Sequence, residues 1–175
     1  MGNKMKIGVI GQGFVGSAIR EGFKDFYEIY TYDLNPELRN CESLVDVVKN
    51  AEIIFVCLPT PMSDDGSCHI KIVKDVISDI DEICKANDYK NRIAIIKSTV
   101  PPGTTDKLNV IAKNIAVAFS PEFLTEANSF EDFKNQTRII IGAKRPASTR
   151  IKSMFRKAFP MIPIVKTSAA HAEMV

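Results

Sequence analysis

The stretch KIGVIGQGFVGSAI, residues 6–19, decides the fold. Residues 6–10 read as a buried strand, and a helix is predicted near 14–24. Between them Gly11, Gly13 and Gly16 stand in G-x-G-x-x-G spacing. Gly11 permits a tight turn, Gly13 lets the backbone approach a pyrophosphate, and Gly16 lets the helix pack closely on the strand. The helix N-terminus offers free N–H groups and partial positive charge to phosphates. The spacing alone is a weak signal; its place between a strand and a helix strengthens it.

Asp33 completes the pattern. It ends a second strand, YEIYTYD (27–33), about 20 residues beyond the glycines, where the fingerprint wants an acid for the adenosine ribose hydroxyls. A carboxylate there would repel a 2′-phosphate, so NAD is favoured over NADP. Cofactor contacts are therefore expected from Gly11, Gln12, Gly13, Phe14, Val15, Gly16 and Asp33.

Outward from this unit, strands and helices alternate. A helix near 43–49 leads to the strand EIIFVCL (52–58), and a helix over 70–86 carries Ile72, Val76, Ile80 and Ile83 along one face. Strands follow at 92–98, 114–120, 137–142 and 162–165, with helices near 104–112 and 147–158. Continuous apolar strands imply a parallel sheet covered on both faces, here a Rossmann-type, doubly wound α/β domain. The stretch 120–136 reads as a long irregular loop, of a kind often functional. Ser168 looks like an N-cap, and the helix it opens meets no stop signal before Val175.

Composition excludes several classes. A net charge of +2 gives no electrostatic case for nucleic acid or a membrane surface. The longest apolar runs are too short to span a bilayer, the N-terminus has no secretory pattern, and Lys6 spoils a myristoylation reading of Gly2. The four cysteines show no metal-ligand spacing, so no metal site is expected; Cys57 reads as a small core residue and Cys68 as isolated. A cytoplasmic protein with reduced thiols is the expectation.

Three further stretches fall at strand ends on the edge where ligands sit in such sheets. VCLPTPMSDDG (56–66) places Leu58, Pro59 and Thr60 toward the cofactor; its acids mark a turn at Gly66 and no metal. KSTVPPGTT (97–105) delivers the hydroxyls of Ser98 and Thr99. SPEFLTEANSFEDF (120–133) supplies two carboxylates, Glu122 and Glu126, and Glu122 behind Pro121 is placed for general-base work. The basic residues between Lys144 and Lys157 read as a solvated helix face.

Together VIGQGFVG, VCLPTP, KSTVPPGT, SPEFLTEA, RIIIG and the final AEMV resemble, in order, the N-terminal NAD-binding domain of the UDP-glucose/GDP-mannose dehydrogenase family. The resemblance implies a cytoplasmic enzyme of polysaccharide biosynthesis. Such an enzyme oxidises the primary alcohol of a nucleotide sugar to a carboxylate with two NAD, through a cysteine thioester. UDP-glucose is the leading substrate, and the full-length form is implied to be a homodimer. Thr99 would help hold water and cofactor, Glu122 would be the base for thioester hydrolysis, and Glu126 would support cofactor and water. The backbone of Phe123 and Leu124 would line the sugar site.

Two departures stand out. The segment between Asp33 and AEIIFV is shorter than usual and lacks a Glu-Pro-Gly, which trims the adenosine side. In the family a catalytic lysine, and later a nucleophilic cysteine, follow AEM-x. The expectation is thus a Rossmann domain over 1–166, a connecting helix starting at 167–175, and a truncated enzyme that binds cofactor without turnover. The alternatives are a stand-alone NAD-binding module and a 3-hydroxyacid-type dehydrogenase; PEFLTEA argues against the latter.

Overall fold

The computed structural model describes residues 5–63 and 66–175, so Gly2, Asp64 and Asp65 lie outside the described residues. One seven-stranded sheet organises the chain, in the order β2-β1-β3-β4-β5-β6-β7. The strands are β1 (Lys6–Ile10), β2 (Glu28–Tyr32), β3 (Ile53–Val56), β4 (Arg92–Ile96), β5 (Ile115–Phe119), β6 (Ile139–Gly142) and β7 (Ile164–Thr167). The helices are α1 (Phe14–Phe23), α2 (Leu44–Asn50), α3 (Lys71–Asn87), α4 (Thr104–Ile111), α5 (Ser129–Lys134), α6 (Ala147–Ala158) and α7 (Ala169–Ala172).

β1 to β5 are parallel, and the chain steps from β1 outward to β2 and then back past β1 to β3. That reversal leaves a crevice at the carboxyl ends of β1 and β3, where ligands bind in open α/β sheets. The short segment after Asp33 holds a 3-10 turn (Pro36–Leu38) and α2, and among the described residues no further strand lies outside β2. β6 runs antiparallel to β5 through the single pair Phe119–Gly142, and β7 runs parallel to β6.

Both faces of the sheet are covered, as the continuous apolar strands require. One face packs Val47, Ile54, Ile77, Ile80, Ile96 and Leu108 under α2, α3 and α4. The other gathers Phe23, Phe55, Phe133, Phe155 and Phe159 under α1, α5 and α6. Phe23 has four phenylalanine ring centroids within 5.9 Å, and each such ring fully buried is worth about 2–3 kcal/mol. α2 starts on a capping box, with Ser43 accepting from the Asp46 N–H and Asp46 from the Ser43 N–H.

The structure differs from the sequence reading in four places. The stretch 120–136 is not wholly irregular: α5 forms there because Phe133 inserts against α1, over a Gly22 whose missing Cβ would sit 2.3 Å from that ring. The face of α3 turned to the core carries Val73, Ile77, Ile80 and Cys84, while Ile72 is 40% exposed. Two apolar stripes lie one residue apart on that helix, and only packing chooses between them. β7 starts at Ile164 rather than 162; Pro163 has no N–H to give a ladder and instead accepts from Ile139. The last helix is a single turn, with Ser168 accepting from the His171 N–H and Glu173 as its C-cap.

Candidate cofactor site

A cavity of about 760 Å³ opens at the carboxyl ends of the parallel strands. The glycine loop forms one wall. Gly11 adopts φ +86°, and a Cβ there would lie 2.2 Å from the Cys57 carbonyl oxygen. A Cβ on Gly16 would lie 1.9 Å from the Gly11 oxygen, so α1 can start this close to β1 only with glycine. At Gly13 an added Cβ would meet nothing within 4 Å. The demand for glycine at 11 and 16 is internal to the fold, whereas position 13 is open space on the ligand side. Gly13 is also the N-cap of α1, with no side-chain cap and no acid in the first turn. Those features fit a pyrophosphate: an approachable backbone and an uncompensated helix N-terminus.

Asp33 lines the cavity beside the glycine loop. Its Oδ2 accepts the Gln12 N–H at 2.7 Å, and its Oδ1 accepts the Asn35 N–H at 2.8 Å. Each oxygen retains a further lone pair with which to accept a hydroxyl. Gln12, Phe14 and Val15 line the same wall, with Tyr32 and Leu34 beside them.

The next two strand ends are tied together. Ser98 Oγ accepts from the Leu58 N–H at 3.0 Å and donates to the Leu58 oxygen at 2.6 Å. The Ser98 hydroxyl thus fixes the Leu58-Pro59-Thr60 turn, which lines the cavity with Ser98 and Thr99. Cys68, not among metal-ligating neighbours, reaches the Thr99 oxygen with its Sγ at 3.4 Å.

At the far end, β5 delivers Glu122. Its Oε1 accepts the Phe123 N–H at 2.9 Å, and its Oε2 faces Lys97 Nζ at 3.1 Å as an ion pair rather than an aligned hydrogen bond. Lys97 is 7% exposed and also donates to the Pro121 oxygen at 3.1 Å. Cys57 is half-buried beside this pair on the cavity wall, not sealed in the core as its sequence context implied. Burial pushes its thiol far above the ordinary range; Lys97 opposes that and Glu122 adds to it.

Lys97 is the residue sequence reasoning missed. A lysine directly after the apolar run IAII (93–96) signals an internal counter-charge, since buried ammonium groups are paired. Other expected residues are not brought to the wall. Gly16 lies beneath the loop. Phe123 stacks under the Arg138 guanidinium, 4.7 Å from the ring centroid, and only Leu124 of that pair lines the cavity. Glu126 is exposed and off the wall. The turn closed by Thr125, whose N–H and hydroxyl both donate to Asp132, carries it outward. Among the described residues, no group of three His, Cys, Asp or Glu side chains could hold a metal ion.

A doubly wound sheet with a glycine loop, an acid ending β2 and a cavity at the switch point defines a dinucleotide-binding domain. Residues 26–159 match the UDP-glucose/GDP-mannose dehydrogenase family, NAD binding domain, and the chain belongs to that family. UDP-glucose 6-dehydrogenase YwqF of Bacillus subtilis is 32% identical over 133 residues, covering 71% of this chain and 29% of the relative. UDP-glucose 6-dehydrogenase AglM of Haloferax volcanii is 25% identical over 218 residues, covering 98% and 49%. The structure of a UDP-glucose dehydrogenase from Pyrobaculum islandicum superposes with a TM-score of 0.84 at 24% identity, over 98% of this chain and 48% of that one. GDP-mannose dehydrogenase from Pseudomonas aeruginosa gives 0.83 at 18% identity, over 97% and 48%. The chain spans about half the length, or less, of these relatives. It is an NAD-binding domain of the nucleotide-sugar dehydrogenase type.

Proposed function

We propose that this chain is the cofactor half of an NAD-dependent nucleotide-sugar 6-dehydrogenase. It would oxidise a sugar primary alcohol to the carboxylate with two NAD and one water, UDP-glucose being the leading substrate. One observation carries the reading: a single cavity collects Gly13, Asp33, Thr99 and Glu122 from the ends of separate strands. Asp33 would hold the adenosine ribose and the glycine loop the pyrophosphate, with Thr99 and Glu122 at the nicotinamide end. When bound, NAD supplies a two-electron acceptor.

The protein's own groups have defined tasks. Glu122, anchored by the Phe123 N–H and Lys97, is positioned to take a proton from water. Leu58, Pro59, Ile72, Val76 and Leu124 give the cavity apolar walls that limit water. A thiol nucleophile requires the thiolate. Among the described residues Cys57 is the cysteine on this wall, and burial keeps it protonated. The 175-residue chain should therefore bind NAD and leave nucleotide sugars unoxidised. Among the described residues no helix is long and apolar enough to cross a membrane. A cytoplasmic location, a homodimeric longer form and a role in polysaccharide biosynthesis belong to the same proposal.

The test is calorimetric titration with NAD, then NADH absorbance with UDP-glucose, GDP-mannose and UDP-N-acetylmannosamine. A longer form of the polypeptide is assayed alongside. Turnover by the 175-residue chain would refute the division of labour, and binding without turnover by the longer form would favour a non-catalytic module.

A further inference from the structure

Glu173 lies 70 positions from Gly103, yet its carboxylate closes over the start of α4. Oε2 accepts the Gly103 N–H at 2.5 Å, and Oε1 accepts the Thr105 N–H at 2.7 Å. α4 has no side-chain cap from its own N-cap position, which is Gly103 at φ +86°. A carboxylate from α7 therefore takes the place of a local cap, satisfying two orphan donors at the positive end of the helix.

The position of that carboxylate is set independently of α4. Ala172 is wholly buried, and α7 approaches β6 so closely that a Cβ on Gly142 would lie 2.7 Å from the Ala172 Cβ and 2.8 Å from the Ala169 Cα. The clamp is anchored in the core on one side and grips a backbone on the other.

What it grips leads to the cavity. Between Gly103 and Thr99 stand buried Val100 and the pair Pro101-Pro102, whose φ angles are fixed by their rings. The Thr104 hydroxyl and N–H both donate to the Pro101 oxygen, at 2.6 and 3.2 Å, closing the turn. Few soft dihedrals separate Glu173 from the Thr99 wall.

We infer that Glu173 is a positioning residue: by capping α4 from α7 it holds the Thr99 turn in place and so sets the fit of the nicotinamide end of NAD. The inference rests on the orientation of NAD given above. Glu173 does not line the cavity.

The 175-residue chain is titrated with NAD and with ADP-ribose, which keeps both riboses and the pyrophosphate but lacks the nicotinamide. The variants are Glu173→Ala, Glu173→Gln and a control, Asp81→Ala. The control removes a comparable tie, Asp81 to the Asn114 N–H and side-chain amide at 2.6 and 3.1 Å, between α3 and the turn before β5. Glu173→Ala should weaken NAD about fivefold and leave ADP-ribose within about twofold, a contrast the size of one ordinary net hydrogen bond. Glu173→Gln, with one acceptor oxygen in place of two, should fall between and carries the test if the alanine variant does not fold. Asp81→Ala should change neither ligand. In amide spectra the Glu173 variants should shift Ser98 and Thr99 as well as Gly103 and Thr105. Equal loss for both ligands, unchanged NAD affinity, or shifts confined to Gly103 and Thr105 would overturn the inference. Failure of the unmutated chain to bind either ligand would instead remove the cofactor-site reading, and this inference with it.

Discussion

The backbone N–H of Gln12 donates to Oδ2 of Asp33 at 2.7 Å, joining the glycine loop to the end of β2 across 21 positions of sequence. With the Asn35 N–H on the other oxygen, the carboxylate is held by two donors before any ligand arrives. Asp33 thus shapes the loop, and in the proposed reading it would also hold the ribose.

That double role makes Asp33→Ala informative. NAD affinity should fall about tenfold, with the preference for NAD over NADP narrowing, as a hydrogen-bonded charge and its repulsion of a 2′-phosphate are lost together. Calorimetry with both cofactors checks it. Equal affinity of the unmutated protein for NAD and NADP would remove the ribose assignment.

The three loop glycines should separate into two classes. Gly13→Ala meets open space at an ordinary φ of −65°, so its unfolding midpoint in urea should stay close to that of the unmutated protein. Its NAD affinity should fall about tenfold, because the new methyl stands where the pyrophosphate must approach. Gly11→Ala adds a Cβ 2.2 Å from a backbone oxygen at φ +86° and should cost about 3 kcal/mol of stability. A Gly13→Ala protein that binds NAD normally would sink the loop assignment.

Lys97→Met should destabilise the protein by about 3 kcal/mol, because Glu122 would be left as a nearly buried charge with no counter-ion. Lys97→Met combined with Glu122→Gln should recover part of that loss, the signature of a coupled pair. Urea unfolding measures both. A Lys97→Met variant as stable as the parent would mean that the pair does not form in solution.

Asp132 gives a dependence on pH. The Thr125 hydroxyl and N–H hold its carboxyl below the usual carboxylate value. For a group depressed in the folded state, the stabilising contact is fully present above the unfolded value and lost as pH falls through the folded one. The Thr125–Asp132 turn should therefore persist through mild acid and loosen only below the ordinary titration range of aspartate. Thr125→Ala should move the Asp132 midpoint back up, followed by carboxyl carbon shifts in NMR. An ordinary midpoint in the unmutated protein would contradict the contact.

Much of this was legible in residue order. The glycine spacing, Asp33 and the runs of β-branched residues located the loop, the acid and the five parallel strands, because each depends on local conformation or on burial of both sheet faces. What stayed hidden depends on tertiary packing. Nothing local in RIIIG says that β6 is antiparallel. The choice between the two stripes of α3 rests on which one meets the sheet. Lys97 carried a local signal, but that its partner is Glu122 shows only in the fold. Glu126 follows the same motif as Glu122, but the Thr125–Asp132 turn carries it away.

The antiparallel join of β5 and β6 has a topological consequence for how such a domain can change. The last residue of β5 pairs with the last residue of β6, so β6 begins beyond the end of β5, on the cavity side of the sheet. The stretch from Ser120 to Arg138 therefore leaves and re-enters the sheet at the same rim, and its length is not dictated by any crossover. Closing a longer loop there costs only the slow logarithmic rise in chain entropy. Inserted residues would stand over the cavity while every strand kept its register. The rim segments on either side of α5 can thus change length without disturbing the strand order, while Phe133 keeps α5 itself on α1.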